Sequence, residues 1–438
     1  MKGVGRLSDG RVVFIPGALP GECAEIEIVR QKERFCEALL ISIAGASADR
    51  QESACPYSER CGGCAARHMR YEATLRYKRT RVFDALSRIG RIETPAVHDT
   101  IGCANPQRCR NKAEYAISGT RIGTLAAASH EILEIDDCLL QKESSVQAML
   151  AVRSWLRGRQ TNPLRYLVTR VNCFGDLCAV LSADGRCDLS DLVRVLRERL
   201  PSLCSVFRCD LNQHYKHALD GNCVKLYGSD AIEDTLCGLR FSLSPQSFFQ
   251  VNTAQAEALC RKAVEYANLT GSETVYDLYC GVGTISLCLA QNAARVTGIE
   301  IIPQAIDNAR VNALKNSLQD RTLFLCGDVA KVLPGRASKA GSADTVILDP
   351  PRSGCNRRVL EAVSAIRPER IVYVSCDPGT LARDLRVLLE SGSYRFGEAQ
   401  PVDMFPWTEH VETVCCLYHQ KKDYISVPYE PKDAEYLK

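Results

Sequence analysis

Apolar positions in the first 45 residues alternate in short runs: Arg11-Val12-Val13-Phe14-Ile15, then Ala24-Glu25-Ile26-Glu27-Ile28-Val29, then Ala38-Leu39-Leu40-Ile41-Ser42-Ile43. Pro16-Gly17 and Pro20-Gly21 separate the first two, and the stretch predicts a small β-barrel. The period then changes. Leu75, Val82, Leu86 and Ile89 recur at helical spacing with Arg76, Lys78, Arg79 and Arg81 among them, which predicts an amphipathic helix with a basic face within 67–91. Residues 106–245 alternate short strand patterns with turns, such as Tyr166 to Val171 and Leu177 to Leu181, with one helical pattern at 189–200. From about residue 249 strands and helices alternate, the mark of a doubly wound parallel sheet. Three apolar runs in this last part stop at turn signals: Thr274-Val275-Tyr276 before Asp277, Thr345-Val346-Ile347-Leu348 before Asp349-Pro350-Pro351-Arg352, and Ile371-Val372-Tyr373-Val374-Ser375 before Cys376-Asp377-Pro378. Open α/β sheets keep their chemistry at such strand ends, so the three are expected to converge on one cleft. From about Lys421 the chain is charged and Pro-containing and reads as a loose tail.

With 438 residues, 46% hydrophobic and 24% charged, the chain is globular and long enough for two to four domains. A net charge of +3 is too small to identify a polyanionic partner, but residues 67–91 hold eight Lys or Arg against two acids. No apolar run approaches the ~18 residues of a membrane span. The start at Met1-Lys2-Gly3 lacks the apolar core of a signal peptide, so a cytoplasmic location is expected. In that reducing compartment the 23 cysteines are expected to be mostly free thiols.

Gly281 and Gly283 follow a strand and precede a helix, where bare backbone meets a ligand at a helix N-terminus. Glu300 ends the next strand, at the place where a carboxylate binds the ribose hydroxyls of an adenosine ligand, and Asp328 repeats the pattern one strand later. Ser286 stands where the dinucleotide fingerprint has its third glycine, which favours S-adenosylmethionine over a nicotinamide dinucleotide. Cys55, Cys61 and Cys64, spaced Cys-x5-Cys-Gly-Gly-Cys, supply three thiolates that need a fourth ligand. Cys103, Cys109 and Cys138 are the near candidates, and the spacing suits an iron–sulfur cluster or zinc alike. Cys376 is exposed at its strand end as a nucleophile, with Arg352 and the following turn expected to favour its ionised form. For an accompanying base, residues 405–412 offer Glu409, His410 and Glu412; taken alone, Glu412 is equally a solvated residue at a strand edge.

Together these residues resemble the RNA uracil-5 methyltransferase family over nearly the whole chain, and in particular its iron–sulfur-containing ribosomal RNA branch. Val13 to Glu22 looks like the family's TRAM module, Cys55 to Cys64 like its cluster motif, and Ser375 to Asp384 like its catalytic motif. The resemblance implies an α/β fold: a Rossmann-like doubly wound methyltransferase domain at 249–420, an OB-like TRAM β-barrel at 1–48, and a central α+β RNA-binding domain carrying the iron–sulfur site at 49–73 and 106–248. A basic helical segment at 74–105 packs with the catalytic domain, and a charged tail occupies 421–438. It implies S-adenosylmethionine contacts at Gln250, Tyr279, Thr284, Glu300 and Asp349, which Asp328 joins, and a [4Fe–4S] cluster on Cys55, Cys61 and Cys64 with Cys138 as fourth ligand. Two departures stand out: Leu139 replaces the proline that usually follows the fourth cysteine, and the family's barrel begins with a strand upstream of Gly3-Val4-Gly5. The barrel is therefore one strand short or the true start lies upstream.

The implied reaction makes 5-methyluridine in 23S ribosomal RNA. Cys376 adds to carbon 6 of uracil and Glu412 is the base. Transfer RNA is the alternative substrate, and a non-catalytic RNA-binding iron–sulfur protein is the alternative of another class. The basic helix and Arg108-Cys109-Arg110-Asn111-Lys112 are expected to contact phosphates. A monomer is assumed.

Overall fold

A computed structural model describes residues 2–159, 162–340 and 343–420; the expected tail lies outside the described residues. The N-terminal alternation forms β1 (Lys2–Arg6), β2 (Val12–Pro16), β3 (Cys23–Gln31) and β4 (Phe35–Gly45), in the order β1-β2-β4-β3. Their inward side chains Val13, Ile15, Cys36 and Ala38 make a small core of their own. β1 runs through Gly3-Val4-Gly5 itself, ahead of the first expected strand.

After α1 (Tyr71–Arg88) comes a seven-stranded sheet of order β11-β10-β9-β8-β5-β6-β7. Its strands are β5 (Lys112–Ser118), β6 (Arg121–Leu125), β7 (Ile132–Leu133), β8 (Leu164–Val171), β9 (Leu177–Ala183), β10 (Leu203–Leu211) and β11 (Gly221–Gly228). Two helices, α2 (Glu143–Arg157) and α3 (Ser190–Arg199), pack into its core through Val146, Met149, Val152, Leu192 and Leu196. α3 matches the helical pattern at 189–200, whereas α2 lies where only strands and turns were expected. A hairpin, β12 (Ile232–Leu236) and β13 (Leu239–Leu243), leads onward.

The last unit alternates α4 (Thr253–Ala267), β14 (Thr274–Leu278), α5 (Thr284–Ala290), β15 (Arg295–Glu300), α6 (Pro303–Lys315), β16 (Thr322–Cys326), α7 (Val329–Ala340), β17 (Thr345–Leu348), α8 (Arg357–Ile366), β18 (Arg370–Ser375) and α9 (Pro378–Glu390). It closes with β19 (Tyr394–Val402) and β20 (Glu412–His419). The order β16-β15-β14-β17-β18-β20-β19 reverses direction between β14 and β17, the switch point at which doubly wound sheets bind ligands. β14 to β18 are parallel, and β20 inserts antiparallel between β18 and β19. β14 continues to Leu278, which takes Asp277 into the strand and buries it.

The expected basic face of α1 is corrected in part: Arg76, Arg79 and Arg88 stay exposed, but Lys78 does not. Lys78 is fully buried, ion-paired with the equally buried Asp403, and donates to the Phe405 carbonyl at 2.9 Å. Tyr71 donates its hydroxyl to the other Asp403 oxygen at 2.6 Å. Arg79 donates to the Val97 carbonyl at 3.1 Å, Arg81 to the Glu409 carbonyl, and Arg76 pairs with Asp49. The physical reason is burial: Val82 and Leu86 sit in the core of the last unit, and a helix docked that way must give its inward cations partners. The 108–112 run is likewise turned inward. Arg108 is held by both Asp137 oxygens at 2.7 and 2.8 Å, Arg110 lies over the Phe405 ring at 5.8 Å, and Asn111 is buried.

The chain after α1 then lies along β19, with the His98 and Ile101 N–H groups donating to the Ala399 and Pro401 carbonyls at 2.9 Å each, which covers a sheet edge. Among the described residues no helix is long and apolar enough to cross a membrane.

Removing one partner of a buried ion pair strands the other charge. Lys78→Met is therefore expected to destabilise the chain by about 3–5 kcal/mol, read as a lower urea-unfolding midpoint. A change under about 1 kcal/mol would show that Asp403 finds another partner.

Candidate active site

Between β14 and α5 the chain turns through Tyr279, Gly281 and Gly283, all at positive φ. At Gly283 (φ +83°) a Cβ would also stand 3.1 Å from Phe324 and 3.2 Å from Ala309, so glycine is required there. No side chain caps α5, which leaves its first amides, from Thr284 on, facing the turn. Glu300, at the end of β15, accepts the N–H groups of Gly281 at 3.2 Å and Ile302 at 3.0 Å, which anchors its carboxylate beside the glycines. Ser286 donates to one oxygen of Asp277 at 2.5 Å, while the other has no hydrogen-bond partner among the described residues. Burial pushes the Asp277 carboxyl up to about 7.

Asp328 accepts the Ala330 N–H at 3.0 Å and so caps the start of α7. Asp349 follows β17; burial, with the charges of Glu412 and Asp277, raises it well above the ordinary carboxylate range. Gln250 precedes α4, and its carbonyl accepts from the Asn111 amide at 3.0 Å. Tyr279, Thr284, Glu300, Asp328 and Asp349 thus gather at the carboxyl ends of β14 to β17. A glycine turn at the start of α5 with an anchored acid beside it fits a ligand with ribose hydroxyls.

The register of β18 with β20 runs from Arg370↔Tyr418 to Ser375↔Thr413, so one further step sets Cys376 across from Glu412. Cys376 is half-buried, and burial and then the Glu412 charge push its thiol up to about 11 against the pull of Arg352. This corrects the expectation of an ionised thiol. Arg352 acts in the expected direction, but desolvation outweighs it. The turn contributes little because Asp377 already takes up the α9 amides of Gly379 and Thr380, at 2.9 Å each. Glu412 is only 4% exposed, which excludes a solvated edge residue. Burial pushes its carboxyl up to about 7, again against Arg352. His410 packs edge-on to Phe405 at 6.0 Å, and burial and Arg352 lower it.

Burial pushes the Cys64 thiol up; Arg67 hydrogen-bonds to it, and the charges of Cys138 and Cys61 reach it. Gly63 donates its N–H to Cys61 Sγ at 3.4 Å. The charges of Cys61 and Cys138 thus act on Cys64 from two segments of the chain. Cys103 and Cys109 instead hydrogen-bond to each other, near Asn252. Among the described residues no three of His, Cys, Asp and Glu stand as a metal-holding group.

The sequence profile of the tRNA (uracil-5-)-methyltransferase family matches residues 229–326 and 333–421, and that of the TRAM domain matches residues 1–41. The chain is 41% identical over 428 residues to an uncharacterized RNA methyltransferase of Halalkalibacterium halodurans, covering 93% of this chain and 92% of the relative. It is 40% identical to another from Caldanaerobacter subterraneus, covering 95% of each. Among solved structures it is similar to the Pyrococcus abyssi tRNA (uracil-54, C5)-methyltransferase in complex with S-adenosyl-L-homocysteine. That likeness has a TM-score of 0.77 and 27% identity, covering 95% of this chain and 100% of that one.

The raised Glu412 carboxyl makes stability depend on pH. Its folded value of about 7 lies above the ordinary 4.5, so its contribution is fully present below about pH 4.5 and lost as pH rises through 7. Glu412→Gln removes that loss. Between pH 4.5 and pH 8 the variant is expected to gain roughly 1–3 kcal/mol on the wild type in urea unfolding. A constant difference across that range would place the carboxyl in a solvated setting.

Proposed function

The chain belongs to the RNA uracil-5 methyltransferase family, and on that premise we propose that it makes 5-methyluridine in 23S ribosomal RNA with S-adenosylmethionine. The observation that carries this reading is the Cys376–Glu412 pair, a half-buried thiol and a buried carboxyl set one step beyond the last paired residues of β18 and β20. Carbon 5 of uracil is a poor nucleophile, and thiolate addition at carbon 6 raises its electron density. Cys376 gives up its proton to solvent with Arg352 nearby to offset the charge, Sγ bonds to carbon 6, and the carbon 5–carbon 6 π pair moves onto the enolate, whose nucleophilic end is carbon 5. S-adenosylmethionine, when bound, supplies the methyl group to carbon 5. Glu412 then takes the carbon 5 proton, the electron pair re-forms the double bond, and Cys376 leaves as thiolate. Gln250, Tyr279, Thr284, Glu300, Asp328 and Asp349 are the residues assigned to hold the methyl donor.

In this reading residues 1–48 and the central sheet hold RNA while 249–420 carry the chemistry, and the target base is unstacked or flipped out. Cys55, Cys61, Cys64 and Cys138 are assigned to a [4Fe–4S] cluster. The cysteine spacing supports this, and the cluster's role is structural or in RNA docking. A second reading, transfer RNA as substrate, is favoured by the likeness to the Pyrococcus enzyme, whose name gives that substrate.

Methyl-labelled S-adenosylmethionine, offered with unmodified 23S ribosomal RNA and transfer RNA transcripts in separate reactions, is expected to label 5-methyluridine in the ribosomal transcript. Label in transfer RNA alone would move the target and keep the chemistry. Cys376→Ala is expected to abolish any covalent RNA adduct, and Glu412→Gln to let one accumulate on denaturing gels. Lost turnover in Glu412→Gln without that adduct would take the base role from it. Anaerobically purified protein is expected to hold equal iron and acid-labile sulfide, lost in Cys138→Ala; protein free of both, or unaltered by the substitution, would count against the assignment.

A further inference from the structure

Arg352 is exposed in the turn that follows Asp349, so the backbone of that turn sets where its charge lies. Several contacts fix that backbone. Gly354 donates its N–H to the Pro351 carbonyl at 2.8 Å, Thr380 its hydroxyl to the Arg352 carbonyl at 3.3 Å, and Arg383 to the Ser353 carbonyl at 2.8 Å. Cys355 donates its N–H to Asp384 at 2.7 Å.

Asp384, on α9, is the hub of these contacts. Its side chain is 1% exposed, and it also accepts the Tyr373 hydroxyl of β18 at 2.6 Å and Arg383 Nε at 2.8 Å. Helices packed on sheets do not bury a carboxylate for packing alone, because desolvation is costly unless every lone pair is used. The turn lies hard against it. At Gly354 (φ +76°) a Cβ would come within 2.6 Å of the Asp384 carboxylate and 2.5 Å of Arg383. Through Cys355 the same hub reaches Tyr279, whose hydroxyl bonds to that thiol on the cofactor side of the cleft.

We propose that Asp384 is a positioning residue, which clamps the 350–355 turn to α9 and β18 so that the Arg352 guanidinium stays beside the Cys376–Glu412 pair. This rests on the reading of Cys376 as nucleophile and Glu412 as base. The charges that reach Cys376 are those of Glu412 from β20 and of Arg352 and Asp349 from beyond β17; Arg352, the cation among them, also acts on Glu412. Releasing the turn withdraws that cation and leaves the two acids.

The test alkylates the ligand-free, full-length protein with iodoacetamide across a pH range and reads Cys376 peptide by peptide in a mass spectrometer. Asp384→Asn keeps the shape and loses the charge that grips Arg383. At mildly alkaline pH it is expected to slow Cys376 alkylation by about threefold or more, the change in thiolate fraction for a half-unit shift. Arg352→Met is expected to do the same, and the double variant no more than either, since both act through one guanidinium. Tyr373→Phe, which deletes one bond and keeps the carboxylate, is expected to shift Cys376 in the same direction by less, and it carries the test if Asp384→Asn does not fold. Wild-type alkylation of Cys376 in the folded variants, or additive shifts in the double variant, would reduce Asp384 to a packing role and overturn the proposal. An RNA adduct that survives Cys376→Ala would remove the nucleophile reading, yet leave intact whether the Arg352 charge follows Asp384.

Discussion

In the antiparallel pairing of β18 with β20, Arg370 faces Tyr418 and Ser375 faces Thr413, and the geometry of the cleft follows from that alignment. β20 is held on its other flank by β19, from Tyr394↔His419 to Val402↔Glu412. Both its faces are buried from Val411 to Leu417. A slip of one residue would turn every side chain of β20 to the opposite face, carrying Glu412 away from Cys376. The Cys376–Glu412 pair is thus fixed by a sheet register that many buried side chains enforce together. Local loop conformation has little part in it.

Desolvation is the second constraint. Asp277, Asp349 and Glu412 are all raised by burial in the same cleft, and the thiol of Cys376 is raised with them. Ligand-free, the site therefore carries less negative charge than its residues would suggest. Such a cavity favours a cation, because a positive group brought among the acids recovers attraction that water no longer screens. A methyl donor bearing a sulfonium and an ammonium group meets that requirement. The same logic gives Arg352 its weight, since a fixed cation at the rim offsets burial for both the thiol and the carboxyl.

What the sequence made legible was local. The strand ends, the glycine turn, Glu300 and the Cys376 motif follow from spacing within a few residues, and the fold class follows from alternation of elements. Misreadings came where the deciding partner lies far along the chain. A count of basic residues on α1 cannot reveal that Lys78 meets Asp403, and Arg108 reads as an RNA contact until Asp137 is seen beside it. Ionisation was also illegible. Arg352 is visible as a neighbour of Cys376, but the depth of burial that outweighs it is a property of the packed sheet. α2 was a different kind of miss, because Val146, Met149, Val152 and Leu156 keep helical spacing and were available to be read.

The loop from Asp403 to Val411 delivers Glu412 to its strand, and its anchors come from the first quarter of the chain. Trp407 holds a left-handed backbone (φ +63°), a conformation that a large aromatic residue keeps only where its surroundings impose it. Those surroundings are specific. The Ala66 N–H donates to the Trp407 carbonyl at 2.9 Å, and the buried Arg67 guanidinium lies 4.9 Å from the Trp407 ring. Lys78 and Tyr71 hold Asp403 at one end of the loop, and Arg81 holds the Glu409 carbonyl at the other. Arg67 also hydrogen-bonds to Cys64, so the cysteine-bearing segment touches the loop through one residue. A segment that is far from Cys376 in sequence is therefore in direct contact with the loop that leads into Glu412. The cysteine segment and α1 are thereby part of the framework that holds the loop leading into Glu412.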